Sequence, residues 1–224
     1  MNTTSPINRV TRSREEARAS YDKMSRWYDL LAGLSEKKYK EMGLQILDIQ
    51  AGEQVLELGF GTGQCLIKLV ESTGETGNVF GVDLSQGMLD VAHSKLLKAE
   101  ISDSVELCLG DAMKLPYADN SFDAAYSSFT LELFDTPEIP VVLSECQRVL
   151  KSGARLCIVS MSKKAINGFI VNLYEWTQKN FNKYVDCRPI YVEQCIKENG
   201  FHIRSVTEMS MFGLPVDIVL AQKV

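Results

Sequence analysis

Three glycines at alternate positions follow an acid in Glu57-Leu58-Gly59-Phe60-Gly61-Thr62-Gly63. Glycine permits dihedrals closed to other residues and lets a ligand approach the backbone. Alone, such a loop can also be a tight strand-to-helix turn without a ligand. Its neighbours narrow the chemistry. A dinucleotide fingerprint would need Gly at position 64, where this chain has Gln64, and the phosphate-cradling G-x-x-x-x-G-K-[ST] pattern is absent. Glu57 beside the loop would oppose a pyrophosphate but favour an amino group or a cation. Asp83, in Gly81-Val82-Asp83-Leu84-Ser85, stands where an acid can accept both hydroxyls of a ribose, although it could equally cap a helix, as could Ser85. Asp111, in Leu109-Gly110-Asp111-Ala112, could accept the exocyclic amine of adenine beside room left by Ala112, or be a plain turn residue.

These residues need a scaffold that brings them to one edge. Short β-branched runs at Val55–Leu58, Val79–Val82, Val105–Leu109, Ala124–Ser127 and Leu156–Ser160 predict strands. Helical patterns at Cys65–Glu71, Gln86–Leu97 and Val141–Leu150 lie between them, the last ended by Lys151-Ser152-Gly153 as a glycine cap. Alternation of this kind implies right-handed crossovers and a mostly parallel sheet. Acids ending three successive parallel strands then face one crevice at the carboxyl edge. An amine, a ribose and an adenine without phosphate describe S-adenosylmethionine.

Further on, Phe169–Phe181 and Pro189–Asn199 are helical by pattern, the second with Pro in its first turn, and His202–Glu208 and Leu214–Gln222 predict a closing antiparallel pair. Arg14–Tyr28 and Glu36–Ile49 form a helical N-terminal cover (residues 1–50) on a single binding domain (51–224). The expected fold is α/β, a Rossmann-like doubly wound sheet of seven strands. A net charge of -5 argues against a general nucleic-acid binder. No apolar run approaches the ~20 residues of a spanning helix, and the polar first twenty residues lack a secretory core, so a cytoplasmic protein is expected, with peripheral membrane contact left open. Six cysteines without a C-x-x-C pair are expected as reduced thiols, and two histidines offer no metal site.

The segment Val55–Ser160 resembles the class I S-adenosylmethionine-dependent methyltransferases, in the branch of the ubiquinone/menaquinone C-methyltransferases. Besides the three motifs above, Gln86-Gly87-Met88-Leu89, Met113-Lys114-Leu115-Pro116, Ser121-Phe122-Asp123-Ala124 and Glu145–Gly153 carry the likeness. The resemblance implies that Glu57 with Gly59, Gly61 and Gly63 holds the methionine portion and Asp83 the ribose. Met88 would flank the adenine, with Leu84 a further cofactor contact, Asp111 and Ala112 at the adenine's edge, and Ser127 and Ser128 on the cofactor's other side. Lys151-Ser152-Gly153-Ala154 replaces the family's Lys-Pro-Gly-Gly turn.

Methyl transfer from a sulfonium needs mainly alignment and exclusion of water, so no catalytic triad is expected. Tyr21 and Tyr28, seven residues apart on one helical face, are candidate catalytic contacts from the cover, or merely packing. Glu132 is a candidate acid-base group, and Asp135 another or a helix cap. Arg188 and Tyr191 border the expected acceptor region. A small or lipophilic acceptor such as a quinone precursor is the first expectation. The Arg26-Trp27-Tyr28-Asp29 stretch also resembles phospholipid N-methyltransferases, and a binding protein that holds the cofactor without transfer is the alternative of another class.

Overall fold

The computed structural model describes residues 9–10, 13–28, 34–163 and 188–224, without the side chains of 26–28 and 34. The helix expected at Phe169–Phe181 lies outside the described residues. Two helices come first, α1 (Arg14–Tyr28) and α2 (Leu34–Leu47). The alternating section follows as β1 (Gln54–Leu58), α3 (Gln64–Thr73), β2 (Asn78–Asp83), α4 (Gln86–Lys98), β3 (Val105–Leu109), β4 (Phe122–Ser128), α5 (Ile139–Val149) and β5 (Leu150–Met161). The chain closes with α6 (Val192–Glu198), β6 (Phe201–Met211) and β7 (Leu214–Lys223). The seven strands lie in the order β3-β2-β1-β4-β5-β7-β6. Strands β1 to β5 are mutually parallel, and β7 runs antiparallel between β5 and β6. The Rossmann-like mixed sheet is thus the one the sequence pattern implies.

The order reverses at β1, whose neighbours are β2 and β4. Crossovers leave β1 in opposite directions there, which opens a crevice beyond the carboxyl ends of the strands. One hydrophobic cluster, with Leu56, Ala125, Leu143 and Ile158, fills one face of the sheet. A second, with Val55, Leu66, Tyr126 and Val159, fills the other. Helix α2 belongs to that second layer. Tyr39 and Leu47 are fully buried, the Tyr126 hydroxyl donates to the Lys40 carbonyl at 2.9 Å, and Arg155 donates to the Leu47 carbonyl at 2.9 Å.

Two boundaries differ from the sequence expectation. Helix α5 ends at Val149 and β5 begins at Leu150, so Lys151-Ser152-Gly153 is strand rather than a helix cap. Gly153 keeps the positive φ of 77° that its type suggested, but it lies where the β4–β5 register shifts. A glycine in such a bulge looks locally like a turn. Helix α6 starts at Val192, and Pro189 precedes it, because Ile190 bridges to Ser162 and donates its N–H to the Met161 carbonyl at 3.1 Å. Cys65, Cys146 and Cys157 are buried free thiols, while Cys108 and Cys195 are half-buried and free. Cys187 lies outside the described residues.

Helix α1 is tied to α4 by one carboxylate. Asp22 accepts from the Ser85 hydroxyl at 2.6 Å and from the Gly87 N–H at 2.9 Å. A Cβ on Gly87 would stand 2.9 Å from the Asp22 Cα and 2.8 Å from the Ser25 Oγ, so only glycine admits this approach. Gly87→Val therefore sets two effects against each other. A helical glycine is replaced, a gain of a few tenths of a kcal/mol, while overpacking against backbone costs roughly 1–3 kcal/mol. Limited proteolysis within α1 is expected to accelerate while the sheet keeps its stability. Unchanged cleavage would show that α1 is held elsewhere.

Candidate functional site

A cavity of about 600 Å³ lies over the carboxyl edge of β1, β2 and β3 and under α1. Its size suits a ligand of cofactor dimensions. Gly59, Phe60, Gly61 and Thr62 form its floor, whereas Gly63 is not among the lining residues: it caps α3 with φ 78° and stands against Ala92. Gly59 has φ 70°, and a side chain there would run into Thr130, so this turn needs glycine twice over. Gly61 has φ 53°, and a Cβ on it would meet nothing within 4 Å. The loop thus presents bare backbone to open space.

Glu57, at the end of β1, is 1% exposed yet lines the cavity. One of its carboxylate oxygens is buried without a hydrogen-bond partner. Burial pushes its pKa up to about 8, against a lowering by Lys40, with Asp83 adding a further rise. Lys40 and the Cys65 thiol only partly offset that burial, and the unpartnered oxygen has room for a further donor. The orphaned oxygen, the bare loop and the cavity fit a ligand that brings an ammonium.

Asp83 closes β2. Its Oδ2 accepts from the Gly61 N–H at 2.8 Å and its Oδ1 from the Ser85 N–H at 2.9 Å. Burial raises its pKa, and these backbone donors offset the rise. Ser85 is the cap of α4, its Oγ accepting from Met88 N–H at 3.1 Å. Asp83 is therefore released from capping and lines the cavity with Leu84 and Met88. Gly110, Asp111 and Ala112 form the adjoining wall.

Asp111 differs from a simple amine acceptor. Its Oδ1 accepts from Met113 N–H at 2.9 Å, and its Oδ2 pairs with Arg14 of α1, which also reaches Glu138 at 3.0 Å. Of the two serines, Ser128 lines the cavity, whereas Ser127 donates to the Leu58 carbonyl at 3.2 Å inside the sheet. Adjacent strand residues face opposite sides, so only one of the pair can face the ligand. Glu132 is fully buried, accepts from Met161 N–H at 3.1 Å and is not among the cavity's lining residues. Asp135 binds the N-terminal segment, Arg9 at 2.8 Å and Val10 N–H at 3.0 Å, which lowers its pKa to about 2. Tyr21 lines the cavity from α1, and Phe129, Thr130, Leu133, Phe134 and the 2% exposed Arg188 line it beyond the loop. The Tyr28 side chain lies outside the described residues.

Arg9, Arg14 and Lys40 are cavity residues that the sequence patterns did not single out. For Lys40 a signal existed. Glu36, Lys40, Gly43 and Leu47 share one helical face, and a lysine on a face otherwise turned to the core is out of place unless it is partnered.

The family model described as the ubiE/COQ5 methyltransferase family matches residues 3–185. The chain belongs to the ubiE/COQ5 methyltransferase family. Among curated relatives, the demethylmenaquinone methyltransferase of Oceanobacillus iheyensis is 33% identical over 155 residues, covering 69% of this chain and 63% of the relative. That of Listeria monocytogenes serotype 4a is 34% identical over 162 residues, 71% of this chain and 66% of the relative. The matched stretch thus spans less than two thirds of these relatives' length. The solved [4+2]-cyclase SpnF superposes with a TM-score of 0.79 at 19% identity, over 98% of each chain. A SAM-dependent methyltransferase from Aquifex aeolicus gives 0.64 at 24% identity, over 83% of this chain and 89% of its own. These likenesses establish the fold of this family member. With a cyclase among them, the chemistry must be argued from the site.

Proposed function

We propose that this chain transfers the methyl group of S-adenosylmethionine to a ring carbon of a reduced, demethylated quinone. The observation that carries the reading is the buried Glu57 carboxylate, with one oxygen unpartnered, sharing a cavity with Asp83 above a bare glycine loop. Glu57 receives the cofactor's ammonium, Gly59 and Gly61 its methionine chain, and Asp83 the ribose hydroxyls, while Gly63 shapes the turn into α3. Leu84 and Met88 flank the adenine, with Asp111 and Ala112 at its edge and Ser128 across from them. The bound sulfonium supplies an electrophilic methyl group. The protein has to orient the acceptor carbon toward that methyl and keep water out. Tyr21, Phe129, Leu133 and Phe134 give the remaining cavity an aromatic and apolar wall suited to a quinol ring. The names of the curated relatives support the acceptor class. No described helix is long and apolar enough to cross a membrane.

The test uses the full chain, methyl-labelled S-adenosylmethionine and a lipid extract containing demethylated menaquinol. Label is expected in the quinone fraction. Label in phospholipid alone would overturn the acceptor class. Tight cofactor binding with no transfer to any fraction would make the chain a binding protein and overturn the activity.

A further inference from the structure

We propose that Lys40 binds the α-carboxylate of the cofactor, so that Glu57 and Lys40 together clamp an amino-acid zwitterion at two points. The inference rests on the S-adenosylmethionine reading of the cavity and adds the group that recognises its acid end.

The Lys40 side chain reaches the cavity wall from α2, beneath the same floor as Glu57. It is only 14% exposed and pairs with Glu36 Oε2 at 2.8 Å, one turn earlier on the helix. An ammonium has three donors, and the Glu36 contact is an ion pair that leaves Glu36 Oε2 without a hydrogen bond, so those donors are open to a further acceptor. A Glu–Lys pair spaced i,i+4 gains its few tenths of a kcal/mol on any solvated face and gives no reason to bring the charge inward. Burying a charged pair is costly unless further polar contacts repay the desolvation. Burial lowers the Lys40 pKa, the neighbouring carboxylates of Glu36 and Glu57 raise it, and the outcome is a raised pKa. It is an ammonium in this cavity.

Charge balance supports the same assignment. When ionised, Glu36, Lys40 and Glu57 sum to one negative charge at this end of the cavity. The cofactor's amino-acid end brings an ammonium, a sulfonium and a carboxylate, one positive charge in all. If Glu57 alone received it, the ligand carboxylate would stand beside two acidic side chains, while Arg9 and Arg14, the cavity's other N-terminal cations, are engaged by Asp135, Asp111 and Glu138. Lys40 removes that repulsion, while the Glu36 contact fixes the direction of its side chain. Because α2 is packed into the sheet layer through Tyr39 and Leu47, the clamp stands on rigid structure.

Calorimetry on the full chain with S-adenosylmethionine and with its decarboxylated form separates this role from general support of the site. The wild-type chain is expected to bind the intact cofactor roughly ten- to a hundredfold more tightly, the range of one charge-assisted contact. Lys40→Met should lose about that factor for the intact cofactor and bind the decarboxylated form as the wild type does. Lys40→Arg should regain part of the preference. Equal loss for both ligands in Lys40→Met would reduce Lys40 to a support of Glu57 and overturn the assignment. So would a wild-type chain that does not distinguish the two ligands, a comparison that needs no variant to fold. A wild-type chain that binds neither ligand would remove the cofactor reading itself, and this inference with it.

Discussion

Glu57→Gln is expected to make the ligand-free protein more stable at pH 8 while removing most of its affinity for S-adenosylmethionine. The two effects share one cause. Burial pushes the Glu57 carboxyl from 4.5 up to about 8, so the folded state prefers the neutral form. The unfolded chain ionises first. Below about pH 4.5 the group is neutral in both states and costs nothing. As pH rises from there to about 8 the folded state must either hold a proton or accept a buried charge, and stability falls across that window. Above it the penalty is constant. Glutamine has no charge to bury, although its amide still lacks partners. A net gain of roughly 1–3 kcal/mol follows, a rise of a few degrees in Tm at this chain length. The ligand reverses the balance, because its ammonium favours the ionised carboxylate. Cofactor affinity of the wild type should therefore rise with pH by up to about tenfold per unit below 8, and that of the variant should stay flat. Removing the charge-assisted contact should weaken binding roughly a hundredfold. Scanning calorimetry and titration on both proteins check the pair. A variant that is less stable at pH 8 and still binds would sink the assignment of Glu57.

The parallel core was legible because its strands are short apolar runs and three of its four crossovers carry a periodic helix, the β3–β4 connection being a loop. Those signals are local. The errors came where a distant partner decided the structure. Ile190 is drawn into a bridge with Ser162, which delays α6, and nothing near Pro189 in the chain announces it. Lys151-Ser152-Gly153 has the composition of a turn, but the neighbouring β4 continues the ladder across it through a bulge.

The site divides in the same way. Glu57, the loop, Asp83, Leu84, Met88, Asp111 and Ala112 all come from strand ends and the turns after them, so spacing alone brought them to one edge. Arg9, Arg14 and Lys40 come from the segment before β1, and what they touch is set by tertiary packing. Arg9 meets Asp135 and Arg14 meets Glu138 across more than half the chain, and Arg14 also meets Asp111. Glu132 follows the fourth strand closely enough to look like a site residue. A single 3-10 turn at Leu131–Leu133 leaves it pointing into the core against β5.

Asp83→Ala is expected to show the second large effect, on loop and ligand together. Each oxygen of Asp83 already holds one backbone N–H, from Gly61 and from Ser85. A carboxylate has about four lone-pair sites, so two remain for vicinal hydroxyls. The alanine variant removes both ribose contacts, a loss of roughly 2–4 kcal/mol of binding free energy. It also strands two N–H groups of the turn, which lowers stability by about 1–3 kcal/mol. These losses separate by choice of ligand. Wild-type chain should prefer S-adenosylhomocysteine over its 2′-deoxy analogue, and in Asp83→Ala that preference should disappear while residual binding persists. Asp83→Asn should fall between, since its amide nitrogen must confront one of the two backbone donors and only its oxygen can satisfy the other. A variant that keeps the 2′-hydroxyl preference would remove Asp83 from the ribose and leave it solely as the clasp between the glycine loop and the start of α4.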